Sequence, residues 1–279
     1  MTGQGRAVLG RAGVRLLLLL VLLVPVFPLA WMLLSSVKGP QELMQTPPGW
    51  WPEQPSLDAY RTVFDVLPFG RAFGNSFLVA GVATLSVVIT SVLAGYAFAK
   101  YRFKGRDALF WVLVGTMFLP PVVMLVPLYW LVSQLGLSDS YLGVMLPWLA
   151  NGFGIFLMRQ FIADVPDELI DAARLDGAGE ARIVRTVVAP LVMPAVVTLT
   201  IFAFVFYWNN FLWPLSILQT TEKFPVVLML SQLLSYSTSV QYQNVVMAGA
   251  AVASIPTIVI FLLTQRVFVA GIARTGVKG

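Results

Sequence analysis

Six apolar stretches set the limits on what this chain can fold into. They lie near residues 15–37, 75–98, 108–132, 141–160, 186–208 and 244–265, and no Asp, Glu, Lys or Arg interrupts their interiors. A helix rises about 1.5 Å per residue, so about 20 apolar residues cross the hydrocarbon core of a bilayer. The composition agrees: 58% of the 279 residues are hydrophobic and 11% are charged. A soluble domain carries about 25% charge. A surface this short of charge does not stay dissolved, so its outer face must meet lipid. The expectation is an all-α, polytopic membrane protein with six transmembrane helices.

The chain has no Cys and no His. That removes disulfides, thiol nucleophiles, the commonest zinc sites and His-based acid–base catalysis. No catalytic residue, no metal site and no cofactor of its own are expected. The net charge of +5 is read as loop charge that sets orientation. The basic residues are not interleaved with aromatic stacking platforms, so no nucleic-acid partner is expected. With the N-terminus inside, the inside segments hold Arg6, Arg11, Arg15, Lys100, Arg102, Lys104, Arg106, Arg159, Arg174, Arg182, Arg185, Arg266, Arg274 and Lys278. The outside keeps only Lys38, Arg61, Arg71 and Lys223. This positive-inside bias places both termini in the cytoplasm. The first stretch is long, contains Pro25 and Pro28, and lacks a small-residue cleavage site, so it is expected to stay as an anchor and not to be cleaved as a signal peptide.

The loops differ in kind. Residues 38–74 form a long outside loop rich in Pro and Trp, and Trp50 and Trp51 suit a membrane–water interface. Residues 209–243 form a second outside loop. Residues 161–185 form the one substantial inside loop. There Asp164 can cap free backbone N–H groups, Pro166 fits a first helical turn, and Asp167 and Glu168 oppose the positive end of the helix dipole. A short helix should run to about Leu175 and stop at Gly177, where a left-handed residue costs glycine little. A second helix should start near Gly179 and enter the fifth span.

On the first of these helices Leu169, Ala172 and Ala173 share a face, and the small alanines let another surface come close. Glu168, Asp171, Arg174 and Asp176 surround that patch. A helix of about ten residues is marginal alone in water and needs something to lie against. The membrane, the chain's own helices and a soluble partner all qualify. A membrane-surface helix is normally basic on its polar face, and this one is mainly acidic, which favours a protein partner.

At this loop the sequence resembles the inner-membrane permease subunits of ABC importers, within the carbohydrate-uptake branch, and most of all the second permease subunit of maltose-type systems. That family's signature is Glu-Ala-Ala, three residues, Gly, nine residues, then Ile-x-Leu-Pro. Here the run is Asp171-Ala172-Ala173, three residues, Gly177, nine residues, then Val187-Val188-Ala189-Pro190. Asp, Val and Ala stand where the family has Glu, Ile and Leu, and Glu168 can share the role of the shortened acid. Collinear likenesses run along most of the chain: Asn75-Ser76, the Ala94 to Gly105 exit of the second span, Pro127-Leu128-Tyr129, Leu135-Gly136-Leu137, Trp208 to Pro214 and Gly276 to Gly279.

The resemblance implies a type I ABC importer permease fold. It divides the chain into residues 1–70 (tail, first helix, outside loop), a core permease domain at 71–267 with a coupling helix at 164–177, and a cytoplasmic tail at 268–279. It implies a multi-pass protein of the bacterial cytoplasmic membrane that translocates a sugar or related polyol. Its partners would be a second homologous permease subunit in a heterodimer, two copies of a cytoplasmic ABC ATPase that bind ATP and Mg, and an extracytoplasmic solute-binding protein. The ATPase-coupling residues would be Glu168, Leu169, Asp171, Ala172, Ala173, Asp176, Gly177, Arg182 and Pro190. Candidates for the substrate path are Asn151, Tyr207, Trp208, Asn209, Asn210 and Trp213, since aromatic faces stack on sugar rings and amides bond hydroxyls; interfacial anchoring and helix packing use the same residue types.

An ion-coupled secondary transporter is the rival reading. Such proteins place ionisable groups inside the membrane, and these stretches hold none. A permease for a glycerol-phosphate-type solute and a non-transporting scaffold stand beside it. No phosphate-cradling Gly-x-x-x-x-Gly-Lys loop and no nucleophile–base set is present, so the chain itself is not expected to be an enzyme.

Overall fold

The structure is a computed structural model that describes residues 3–47, 49–236 and 242–275. The Gly276 to Gly279 motif, and the side chains of Arg6, Arg11, Arg15, Arg266, Arg274 and Lys278, lie outside the described residues. The described residues contain helices and no strand. In chain order they are α1 (Gly3–Ser36), α2 (Asp58–Val66), α3 (Phe69–Lys100), α4 (Arg106–Gly115), α5 (Pro121–Gln134), α6 (Tyr141–Met145), α7 (Gly152–Ala163), α8 (Asp167–Leu175), α9 (Glu180–Ile183), α10 (Ala189–Leu191), α11 (Met193–Trp208), α12 (Leu212–Ile217), α13 (Val226–Tyr236) and α14 (Gln243–Thr275).

The chain divides into two compact units, one of Met1–Phe69 with Leu230–Ser254 and one of Gly70–Met229 with Ile255–Gly279. In the first unit α1 carries the apolar stretch expected at 15–37. The following loop is anchored by Trp50, whose ring packs against Phe27 and Trp31 at 6.0 and 5.8 Å. Trp51 stays 76% exposed. Lys38 is buried, sits 4.7 Å over the Trp31 ring, and donates to the Gly49 carbonyl. An aromatic face and a carbonyl together replace part of the water that a buried ammonium loses.

In the second unit the expected spans meet proline. α3 and the Gln243–Gln265 part of α14, which belongs to the first unit as far as Ser254, are each long and apolar enough to cross a membrane alone. The stretches expected as single helices at 108–132, 141–160 and 186–208 are each broken, with bends of 107°, 44° and 88°. At the first break Leu119 and Pro120 are extended, because a residue before proline is pushed out of the helical region and Pro120 and Pro121 follow in series. At the second, Asn151 leaves the helix and its side chain caps α7 by accepting from the Gly154 N–H at 3.1 Å. At the third, Val192 stands between Pro190 and Pro194 after a π-helical turn at Val184–Val188. Counting each bent pair as one span gives up to five, and the described apolar part of α1, Leu20–Ser36, is shorter.

In the second unit α7 packs against α4 and α11, and α3 joins them through side chains. Phe98 of α3 meets Phe110 and Val114 of α4 and Ile155 of α7 in one buried cluster. The Arg159 guanidinium lies 3.9 Å over the Phe110 ring. Gly95 of α3 lies against α7, where a Cβ would come within 2.6 Å of the Met158 Cβ. Only a residue without a side chain lets the two backbones come this close. The 209–243 stretch, expected as an outside loop, contains α12 and α13. Val226, Leu228 and Met229 of α13 are buried.

Candidate functional site

The 164–190 segment folds much as its sequence indicates, with one change of roles. Asp164 is the C-cap of α7, and the α8 N-cap is Pro166, whose extended backbone (ψ 133°) leads into the helix with no side-chain cap. Asp167 and Glu168 occupy the first turn and Arg174 the last, matching the helix dipole at both ends. Gly177 has φ +78°. Its N–H donates to the Arg174 carbonyl and the Ala178 N–H to the Ala173 carbonyl, both at 3.0 Å. This paired closure of a helix end needs a left-handed residue at the Gly177 position. Gly179 then caps α9.

The nine residues of α8 have two sides. Ile170 is buried at 2% exposure and points into the fold, and Asp167 and Arg174 lie on its flank. Leu169 is 45% exposed, Ala172 is exposed and Ala173 is half-buried. Leu175, which belongs to no motif in the sequence, is 89% exposed. Glu168 and Asp176 are exposed beside them. Asp171 accepts from the Arg174 guanidinium at 3.0 Å. Arg182 is exposed on α9, and Pro190 is exposed in α10.

What holds α8 in place comes from far away in the sequence. Lys100, in the last turn of α3, is only 8% exposed at its side chain. Its ammonium donates to the Val165 carbonyl at 2.5 Å, to Asp167 Oδ1 at 2.6 Å and to the Ala163 carbonyl at 3.5 Å. The cation therefore satisfies carbonyls at the end of α7 and a carboxylate at the start of α8 together. The hydrogen bond from Lys100 holds the Asp167 carboxyl below its usual range. At the other end of α8, Arg174 Nε donates to Glu180 Oε1 at 2.9 Å, and the Tyr96 hydroxyl donates to Glu180 Oε2 at 2.7 Å. The Tyr101 ring packs edge-on against Tyr96 at 5.7 Å. Tyr96, Lys100 and Glu180 carry no motif signal that ties them to α8.

The six substrate-path candidates separate into three places. Asn209, Asn210 and Trp213 line a cavity of about 500 Å³ with Trp148, Phe206 and Leu125. The Trp148 indole N–H is buried and has no hydrogen-bond partner, whereas the Trp213 indole N–H donates to the Val144 carbonyl at 3.0 Å. Asn151 and Tyr207 line a second cavity of about 370 Å³, and the Tyr207 hydroxyl donates to the Trp148 carbonyl at 2.7 Å. Trp208 lines neither. It is 1% exposed and packs on Phe77 at 4.9 Å, Phe204 at 5.6 Å and Phe73 at 5.7 Å. An aromatic residue at a span end reads the same in sequence whether it packs in a core or lines a cavity.

The opposite end of α3 carries a second polar cluster. The Asn75 amide donates to the Glu222 and Phe224 carbonyls at 2.8 and 3.0 Å, and accepts from the Tyr141 hydroxyl at 2.7 Å. Ser76 Oγ accepts from the Val226 N–H, the first amide of α13, at 2.7 Å. Asp139 adopts φ +51°, a conformation Asp tolerates better than most residues. It accepts from the Gln219 and Thr220 N–H groups, the Thr220 hydroxyl and the Lys223 ammonium. These donors, Lys223 first, hold its carboxyl far below the usual range. Among the described residues no group of His, Cys, Asp and Glu could hold a metal ion.

Comparison with known proteins places this geometry in a family. The family of binding-protein-dependent transport system inner membrane components matches residues 87–274. The chain is 35% identical over 273 residues to the arabinooligosaccharides transport system permease protein AraQ of Bacillus subtilis (strain 168), covering 96% of both chains. It is 30% identical over 271 residues to the sn-glycerol-3-phosphate transport system permease protein UgpE of Brucella abortus (strain 2308), covering 93% of this chain and 95% of that one. Its fold matches, at a TM-score of 0.83 and 23% identity, a chain of a bacterial ABC transporter involved in import of the acidic polysaccharide alginate, over 95% of this chain and 98% of that one. A second likeness, at a TM-score of 0.63 and 17% identity, is to a bacterial alginate ABC transporter solved with an alginate pentasaccharide-bound periplasmic protein, over 94% of this chain and 96% of that one. With the family matched from residue 87 to residue 274 and a relative aligned along nearly its whole length, the chain belongs to the inner membrane components of binding-protein-dependent transport systems.

Proposed function

We propose that this chain is one of two homologous permease subunits of an ATP-driven importer that carries a sugar or related polyol across the bacterial cytoplasmic membrane. Two copies of a separate ATPase, which bind ATP and Mg, dock on the 164–190 segment, and an extracytoplasmic binding protein delivers the solute. The chain crosses the membrane six times with both termini inside. The positive-inside pattern of its loops supports that orientation. The observation that carries the reading is α8. Its Leu169, Ala172 and Leu175 form an exposed apolar stripe edged by Glu168 and Asp176, on a helix held on its other side by buried Ile170 and by the Lys100–Asp167 pair. ATP binding moves the ATPases, and the chain responds because they grip its two conformations differently.

The sugar reading is supported by the cavity lining. Its named residues are amides, aromatics and aliphatics with no Lys or Arg. A glycerol-phosphate solute is the second reading, favoured by the names of the UgpE relatives. The test is uptake into vesicles that hold this chain, its partner permease and the ATPase, with the binding protein added outside. Uptake of a neutral oligosaccharide should require ATP and survive a proton uncoupler. Uptake of sn-glycerol-3-phosphate instead would select the second reading. Collapse on uncoupling in ATP-replete vesicles would reject an ATP-driven importer and favour an ion-coupled transporter.

A further inference from the structure

Alongside the packing of α8 on α9 and the Val184–Val188 turn, its polar ties at both ends lead back to one face of one helix, α3. Tyr96 and Lys100 are four residues apart in α3, so they stand one turn apart on the same side of it. Lys100 holds the start of α8 through Asp167, and also the Ala163 and Val165 carbonyls just before it. Tyr96 holds the far end of α8 through Glu180, which also receives the Arg174 guanidinium. Between the two, Ile170 is buried at 2% exposure. A nine-residue helix is about 13 Å long. Fixed at one end it could pivot; fixed at both ends and pressed down in the middle, it cannot turn without breaking charge-assisted hydrogen bonds at both ends.

We propose that Tyr96 and Lys100 are positioning residues that lock α8 to α3, so that the two move as one rigid piece. This rests on the reading of α8 as the ATPase docking helix. The outward stripe of α8 receives the push, and the Tyr96 and Lys100 face of α3 takes it up. Without these ties the ATPase still holds α8, but α8 gives way and the span does not follow. Lys100 suits the role because its three donors meet three acceptors, and because the ends of α7 and α8 offer it carbonyls and a carboxylate together. Glu180 suits it because its two oxygens take a phenol and a guanidinium from different helices.

The test separates docking from transmission in the assembled importer. Two quantities are measured: ATPase that copurifies with this chain, and solute taken up per ATP hydrolysed. Lys100→Met and Glu180→Gln should retain the ATPase while uptake per ATP falls about tenfold. Tyr96→Phe removes one hydroxyl and leaves the ring in place, so it tests the far end of α8 without disturbing the packing; it should lower uptake per ATP about threefold. Lys100→Arg, which restores a cation with several donors, should rescue most of the loss. Unchanged uptake per ATP in both Lys100→Met and Tyr96→Phe would overturn the proposal. So would a loss in Lys100→Arg equal to that in Lys100→Met, because shape and not charge would then be at work. So would copurification falling in step with uptake, which would make these residues part of docking alone. Failure of the unmodified chain to retain the ATPase would instead overturn the docking reading beneath it.

Discussion

The two ends of α3 are both tied by polar groups, but by different kinds. At the Asn75 end the ties run mostly to backbone, with Asn75 and Ser76 buried among the carbonyls and the first amide of α13. At the Lys100 end every tie uses a charged side chain, Lys100 reaching two backbone carbonyls as well as Asp167, and Asp167 and Asp171 remain well exposed. Buried amide bonds to backbone fix one geometry and are costly to leave unmade. Exposed ion pairs are weaker and screened by salt. The Asn75 end is thus built to stay put. The Lys100 end is built to present a surface, since the apolar stripe of α8 lies outward just beyond its ion pairs.

Four predictions put this contrast at risk. The largest effect is expected on the stripe. Leu175→Glu should abolish copurification of the ATPase and reduce uptake about 100-fold, because an unpaired charge in a docked interface costs about 3 kcal/mol. The thermal stability of the chain should not change, since Leu175 is 89% exposed. A fall in stability equal to that of a core variant would show the stripe to be internal packing. Next, Asn75→Ala orphans the Glu222 and Phe224 carbonyls, and its cost should be about 2–3 kcal/mol in chemical unfolding with the ATPase still bound. Equal losses of stability and ATPase binding would erase the distinction between the ends.

The third effect lies between the two ends. Gly95→Ala puts a methyl group against Met158 Cβ and the Arg159 N–H, at 2.6 and 2.9 Å, and should cost about 1–3 kcal/mol of stability. A neutral result would mean that α3 and α7 can separate freely. The smallest effect is on acid tolerance. The Asp139 carboxyl is depressed by Lys223 and its other donors. A depressed acid adds its full stability above its ordinary pKa and loses it progressively as pH falls from there through the lowered folded value. The unmodified chain should therefore hold this contribution in full above about pH 4 and lose it progressively below that, and Asp139→Asn should show less stability at neutral pH and a flatter acid profile. Identical acid profiles for the two would remove Asp139 from the Asn75-end cluster.

Much of this was legible in the residues alone. The apolar stretches, the short helix ending at left-handed Gly177 and the helix restart at Gly179 follow from local chemistry, because each depends on neighbours within a few residues. Asn75-Ser76 was visible as a resemblance, though its task was not: its partners lie about 150 residues away, at Glu222 to Val226. Trp208 could not be told from Trp213, because burial against Phe73, Phe77 and Phe204 is a property of two helical faces, of α3 and α11, meeting. The stretch at 108–132 has enough apolar residues for one span, and Pro120 and Pro121 mark a break, but a 107° turn needs something to pack against.

An all-helical membrane chain, the short acidic helix that ends at Gly177, and the family all follow from the order of the residues. Hydropathy, helix caps and fixed spacing are short-range properties that a chain carries with it. Tertiary packing settles which side of α8 faces out and which residues hold it. Lys100 reaches Asp167 and Tyr96 reaches Glu180 only because the end of α3 comes to the starts of α8 and α9. A hydrogen bond needs its two atoms within about 3 Å, and no local pattern brings residues 67 and 84 positions apart to that distance.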